Sequence, residues 1–127
     1  MKLLLDSHAL LWWLDDSPRL GSRARSTIAD ATVVAVSLAT IWEIAIKIGL
    51  GKLSVDLRDL LVNISRDGFD LLPVTPSDCL AVAALPRLHG DPFDRMLIVQ
   101  AREQGMTLLS DDRSFTAYEV TTSPAGR

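Results

Sequence analysis

Lys2-Leu3-Leu4-Leu5-Asp6-Ser7 is the stretch whose reading decides the fold. A run this short and apolar, closed at once by a carboxylate, reads as a buried strand. Asp6 is also the first of four carboxylates placed where apolar segments end or are interrupted. Glu43 interrupts an almost wholly apolar stretch from Val33 to Ile48. Asp94 lies in Asp91-Pro92-Phe93-Asp94, just before Met96-Leu97-Ile98-Val99, and Asp112 follows Thr107-Leu108-Leu109-Ser110. Carboxylates are costly to bury unless paired or bound to metal. Several brought together repel one another unless a cation joins them. A divalent metal site is the first hypothesis this placement raises.

Outward from the first strand, Ser7–Leu14 is apolar nearly all round, so a helix there is buried on several sides. Pro18 and Gly21 mark a loop, and Ser22 is expected to cap a second helix reaching about Asp30. Thr32–Val36 is β-branched and reads as a second strand. Ser37 is an N-cap for a helix to Ile48, which Gly49 and Gly51 stop. Asp56 caps another, with Leu57, Leu60, Leu61 and Ile64 as its apolar stripe. Asp70–Val74 is a short strand whose Pro73 suggests a sheet edge.

Thr75-Pro76-Ser77-Asp78 carries the cap, first-turn proline and early acid of a helix start, and Pro86 ends that helix. Asp91-Pro92 opens a further helix that Gly105 closes. Thr107–Leu109 is a strand, Tyr118–Thr121 a weaker one, and the tail from Thr122 to Arg127 is expected to fray. Strands alternating with helices imply an α/β domain with a mainly parallel sheet.

A chain of 127 residues is the usual size of one domain, so residues 1–127 are read as a single unit. The single cysteine, Cys79, cannot staple the fold and suits a reducing compartment; with Leu80, Ala81 and Val82 beside it, it is expected to be a packed thiol. Asp6 and His8 interrupt the apolar start too early for a signal peptide. Glu43 and Lys47 spoil Val33–Leu50 as a membrane span. A cytoplasmic protein is the resulting expectation. The net charge of −3 excludes a general nucleic-acid coat but not a nuclease, because acids clustered at a metal site weigh on the sum.

In a parallel sheet with crossover helices, the carboxyl ends of all strands lie along one edge, where ligands bind. Asp6 follows the first strand, Asp112 a late one, Glu43 lies in the helix after the second strand, and Asp94 in the first turn of its own helix. All four therefore belong to one edge. Hard divalent ions such as Mg²⁺ or Mn²⁺ prefer such oxygen ligands. No histidine–cysteine cluster competes for zinc.

Each acid also has a plainer reading. Asp6 is a turn residue or helix cap, Glu43 pairs with Lys47 one turn on, and Asp94 is a first-turn acid behind the N-cap Asp91. Asp111 and Asp112 are adjacent in a turn, where acids are common. Singly, none of the four decides.

Four segments in order resemble the PIN-domain family, and within it the VapC-like toxins of bacterial toxin–antitoxin pairs. They are Leu3-Leu4-Leu5-Asp6-Ser7-His8-Ala9-Leu10-Leu11-Trp12-Trp13, Ile41-Trp42-Glu43-Ile44-Ala45-Ile46-Lys47, His89-Gly90-Asp91-Pro92-Phe93-Asp94-Arg95-Met96-Leu97 and Leu109-Ser110-Asp111-Asp112-Arg113-Ser114-Phe115. The resemblance runs from Lys2 to about Val120 and implies a PIN-like three-layer sandwich, a central parallel sheet flanked by helices. It implies a Mg²⁺- or Mn²⁺-dependent endoribonuclease that hydrolyses RNA phosphodiesters. Its acidic positions fall on Asp6, Glu43, Asp94 and Asp112, with Asp91 as an outer-shell member. Asp6, Asp94 and Asp112 would then carry most of the metal coordination, and Glu43 would complete the site or orient the attacking water. A cognate VapB-like antitoxin and a homodimer are usual in the family.

Secondary expectations follow for neighbouring residues. Lys47 and Arg95 are candidates for phosphate contacts, against a helix pair with Glu43 and a solvated helix face. His8 is a proton shuttle or a residue packed beside the first strand. Trp12, Trp13 and Trp42 are core residues unless exposed. Leu57–Ile64 and Ile44–Leu50 together suggest an apolar groove for an antitoxin arm.

Two rival classes remain open at this level. A Mg²⁺-dependent phospho-acceptor or phosphatase-type α/β domain would want a second acid near the first strand or a late lysine. Here His8 stands two residues after Asp6, and no lysine follows Lys52. The other rival is a catalytically silent PIN-fold binding protein.

Overall fold

The computed structural model describes every residue from Met1 to Arg127. Five strands, β1 (Lys2–Leu5), β2 (Val33–Ser37), β3 (Asp70–Leu72), β4 (Thr107–Leu109) and β5 (Thr122–Ser123), form one sheet in the order β3-β2-β1-β4-β5. Every pairing is parallel. Helices α1 (Ser7–Leu14), α2 (Ser22–Asp30), α3 (Leu38–Gly49), α4 (Leu57–Arg66), α5 (Pro76–Ala84) and α6 (Pro92–Gln104) connect them, with a 3-10 turn at Arg113–Ala117.

The leucines of β1 divide the layers. Leu3 and Leu5 pack with Ala9, Leu10, Ile28, Ile44 and Ile64, from α1 to α4. Leu4 points the other way, into Leu97, Ile98, Val99 and Phe115. Both faces of the central strand are thus covered by helices, as the run of apolar residues requires. β3 is an edge strand, as Pro73 just beyond it suggested.

The chain builds β1, β2 and β3 outward in one direction, then places β4 on the opposite flank of β1. The reversal lies between β1 and β4. In open parallel sheets the crevice beyond the carboxyl ends at such a reversal is where ligands bind.

Caps at Ser37, Asp56, Thr75 and Asp91 sit where the sequence places them. Other expectations are corrected. The cap of α2 is Gly21, with no side-chain bond, rather than Ser22. The backbone N–H groups of Gly21 and Arg23 are instead taken by carbonyls of Ala125 and Arg127, at 2.9 and 2.7 Å. A Cβ on residue 21 would lie 2.0 Å from Arg127 C, so only glycine allows this approach. The tail expected to fray is consequently held: Ala125 is 1% exposed, and residues 122–123 are the strand β5. The orphan amides at the start of α2 and a small apolar side chain give the tail its partners.

The strand expected at Tyr118–Thr121 lies later, at β5, because Tyr118 is drawn into the core beside Phe115. Cys79 is exposed rather than packed, and Asp78 is buried in its place. The Asp78 carboxylate closes a capping box with Thr75 and accepts from Gln100 Nε2 at 3.2 Å, and that sets the rotation of α5. Trp42 is 64% exposed, not a core residue, whereas Trp12 and Trp13 pack against the core as expected. No helix is long and apolar enough to cross a membrane.

Candidate metal centre

Asp6 leaves the end of β1 and caps α1, its Oδ1 accepting from Ala9 N–H at 2.8 Å. Its second oxygen accepts from the Ser110 hydroxyl, just past β4. Ser110 Oγ in turn accepts from the Asp112 amide at 3.0 Å. One serine therefore ties the ends of β1 and β4 together across the reversal. Asp6 is 8% exposed. Burial pushes its carboxyl above the usual range, the bonds from Ser110 and Ala9 and the charge of His8 oppose this, and the Asp112 charge adds to it.

Asp94 arrives from the other side, in the first turn of α6. Asp91 caps that helix, its Oδ1 accepting from Phe93 and Asp94 amides at 2.9 and 3.0 Å. The carboxylate of Asp94 meets His89 Nε2 at 2.9 Å. Burial raises the Asp94 carboxyl to about 6, the His89 contact opposing while the charges of Asp91 and Asp112 reinforce it. Asp112 is held below its usual value by the Ser114 hydroxyl, which donates at 2.7 Å, and by the Ser114 amide.

One ligand atom from each of His89, Asp94 and Asp112 lies within 4.8 Å of the others. Asp6 adjoins them through Ser110 and the Asp112 amide. Asp111 is separated from Asp112 in role: its Oδ1 accepts from the Ala125 amide at 2.8 Å and anchors the tail. Glu43 is not in the cluster. It pairs with Lys47 at 3.7 Å, although its side chain is only 14% exposed. Trp42 beside it stacks edge-on to Phe93 at 5.3 Å, which sets this turn of α3 against the first turn of α6.

The ion pairs of the protein are Arg25–Asp16, Lys47–Glu43 and His89–Asp94. No lysine or arginine therefore compensates Asp6, Asp94 or Asp112. Carboxylates drawn together with only imidazoles beside them and no lysine or arginine paired to them, two of them with raised pKa values, fit a divalent cation held mainly by oxygen ligands.

Two residues singled out in the sequence have other duties. Arg95 is half-buried, and its guanidinium bonds to the loop rather than to the acids. It donates to the carbonyls of Val82, Leu85, Pro86 and His89 and to Tyr118 Oη, at 3.0 to 3.3 Å. It ties the end of α5 to the loop before α6. His8 is exposed and stacks on Trp12 with ring centroids 5.9 Å apart.

His89 is the functional candidate that the sequence reading passed over. Its one local signal is a position two residues before an Asp-Pro helix start, where the chain folds back over the first turn. The Tyr118 hydroxyl that accepts from the Leu88 and His89 amides, at 3.1 and 2.8 Å, carries no sequence signal.

The PIN domain family model matches residues 3–120. Ribonuclease VapC22 of Mycobacterium tuberculosis is 32% identical over 124 residues, covering 91% of each chain. Among solved structures, VapBC2 from Rickettsia felis bound to a promoter DNA fragment aligns with a TM-score of 0.74 at 13% identity, covering 98% of both chains. The DNA-bound VapBC from Salmonella typhimurium aligns at 0.70 with 16% identity, again over 98% of both. At these identities the structural likeness concerns the fold.

Proposed function

The chain belongs to the PIN-domain family, and from that premise we propose that it is a divalent-metal-dependent endoribonuclease, the toxin of a toxin–antitoxin pair. The observation that carries the reading is the set Asp6, Asp94 and Asp112 near the β1/β4 reversal, none of them paired with a lysine or arginine. Its closest support from sequence is the likeness to a ribonuclease over 91% of the chain.

Asp94 and Asp112, with Asp6 beside them, would hold the ion, Mg²⁺ or Mn²⁺, which when bound supplies positive charge against the phosphate and lowers the pKa of the attacking water. Asp6 is fixed for this by its bonds to Ala9 and Ser110, so its oxygens need little reorganisation. Ser110 positions both strand ends at once. Glu43, paired with Lys47 one turn on, would orient the attacking water. Helices α1, α3 and α6 all begin at this edge, and their N-terminal dipole ends favour an anionic substrate.

The solved neighbours are VapBC assemblies, which supports a VapB-like antitoxin as partner. A groove of about 410 Å³ between α1 and α4, floored by Leu11, Leu14 and Leu60 and rimmed by Asp15, Asp56 and Asp59, suits an arm with apolar anchors and basic flanks. It uses α1 beside α4, not the Ile44–Leu50 segment suggested by the sequence. The exposed stripe Leu38, Trp42 and Ile46 on α3, continued by its C-cap Leu50, is the surface assigned to a homodimer. The cytoplasm, where RNA and such a partner meet, is the assigned compartment.

Cleavage of RNA by the purified chain with Mg²⁺ or Mn²⁺ tests the reading. EDTA and Asp6→Asn should each abolish it, and growth arrest on expression should be relieved by the antitoxin. Chelator-resistant cleavage would contradict the proposal.

A further inference from the structure

The loop before α6 is held more tightly than a connection needs to be. The Leu88 and His89 amides donate to Tyr118 Oη, which donates to Pro86 O at 2.8 Å. Arg95 donates to Pro86 O and His89 O at 3.0 and 3.3 Å. Arg95 is next in sequence to Asp94, so the imidazole and the carboxylate are referenced to one helical turn. Such bracing preorganises a side chain for a ligand.

We propose that His89 gives an imidazole nitrogen to the ion held by Asp94 and Asp112, and so biases the centre toward Mn²⁺ over Mg²⁺. This rests on the metal-dependent reading above and concerns which ion that site takes. Three observations carry it. The donors come from three separate elements, the loop, α6 and the segment after β4, yet converge within 4.8 Å. The Nε2 to Asp94 separation of 2.9 Å is that of neighbouring ligands on an octahedral ion, since bonds of about 2.1 Å place adjacent donors about 3 Å apart. His89 is the histidine within that cluster, whereas His8 lines the cavity beside Asp6 and Asp112 and stacks on Trp12. Oxygen-only sites suit Mg²⁺, whereas an imidazole favours first-row transition ions.

The test loads the whole chain with Mn²⁺ and reads directly bound nitrogen by electron spin-echo modulation, with and without ¹⁵N-histidine. Mn²⁺ and Mg²⁺ affinities are measured by calorimetry in parallel. The wild type should show a ¹⁴N coupling that becomes ¹⁵N on labelling and persists in His8→Gln. His89→Gln should lose the coupling, and its Mn²⁺-to-Mg²⁺ affinity ratio should fall about tenfold or more. Bound Mn²⁺ without a histidine nitrogen in the wild type would overturn the inference, whatever His89→Gln does to folding. So would an unchanged affinity ratio in a folded His89→Gln. Asp94→Asn separates the two levels. If it abolishes Mn²⁺ binding while the wild type lacks nitrogen coupling, only the role of His89 fails. If it leaves Mn²⁺ binding intact, the carboxylate centre and this inference fail together.

Discussion

The two halves of the proposed metal centre are built differently. The β1/β4 half, Asp6, Ser110 and Asp112, is set by the sheet: parallel pairing aligns Leu5 with Leu109, and a hydroxyl bridges the strand ends. The α6 half, His89 and Asp94, is set by a loop that depends on Arg95 and Tyr118, remote from the chemistry. A sheet edge delivers acids by topology alone, whereas a loop delivers them only if something else holds it. Changes in the first half should act on the chemistry, and changes around the second should reach it through stability.

The largest expected effect is on cleavage, where the halves should behave alike. Asp94→Asn should lower the rate about a thousandfold, as should Asp112→Asn, since each would remove a carboxylate from the proposed ion site. Single-turnover RNA cleavage measures both. Residual activity in only one variant would show that the halves are not one site.

Stability should separate them. Arg95→Ala removes five hydrogen bonds of a part-buried guanidinium and should cost about 3 kcal/mol in denaturant unfolding. Arg87→Ala, an exposed change in the same loop, should stay within about 0.5 kcal/mol. Equal costs would remove the special role of the brace.

The metal-free protein should also lose stability as pH rises. Asp94 takes up its proton at about 6 when folded, against 3.8 in the unfolded chain, so between those values the folded state holds a proton the unfolded state has released. Its contribution is fully present below 3.8, falls as pH climbs to about 6, and amounts to at most about 3 kcal/mol. Saturating Mg²⁺ should flatten that fall, and Asp94→Asn should remove Asp94's share of it. Unfolding free energies at pH 4, 5, 6 and 7.5 would show this, and a metal-free protein gaining stability through Asp94 across that interval would reverse the assignment.

The smallest effect distinguishes neighbours. Asp111→Ala should loosen the tail by about 1 kcal/mol, seen as faster amide exchange at Ala125, while leaving metal affinity intact. Asp112→Ala should do the opposite.

Much of this was legible because its signals are local. Caps at Ser37, Asp56, Thr75 and Asp91, the proline beyond an edge strand, and the β–α alternation depend on residues a few positions apart. The placement of Asp6 and Asp112 at one edge follows from alternation once the sheet is parallel. What escaped depends on the rotation of a helix or on partners far along the chain. Cys79 turned outward because Asp78 claimed the contact that oriented its helix, and Trp42, though exposed, meets Phe93 edge-on across α3 and α6. The tail was held because Gly21 leaves amides open over 100 residues away. Arg95 looked like a surface cation because its five acceptors, four carbonyls and a tyrosine hydroxyl, have no sequence pattern.

The central claim is that the β1/β4 reversal gathers Asp6, Asp94 and Asp112 about one divalent centre. Crystals grown with Mn²⁺ and measured near the manganese absorption edge test it most directly. The account predicts an anomalous peak among these carboxylates, absent in Asp94→Asn. A peak elsewhere on the surface, with these carboxylates empty at saturating Mn²⁺, would contradict it.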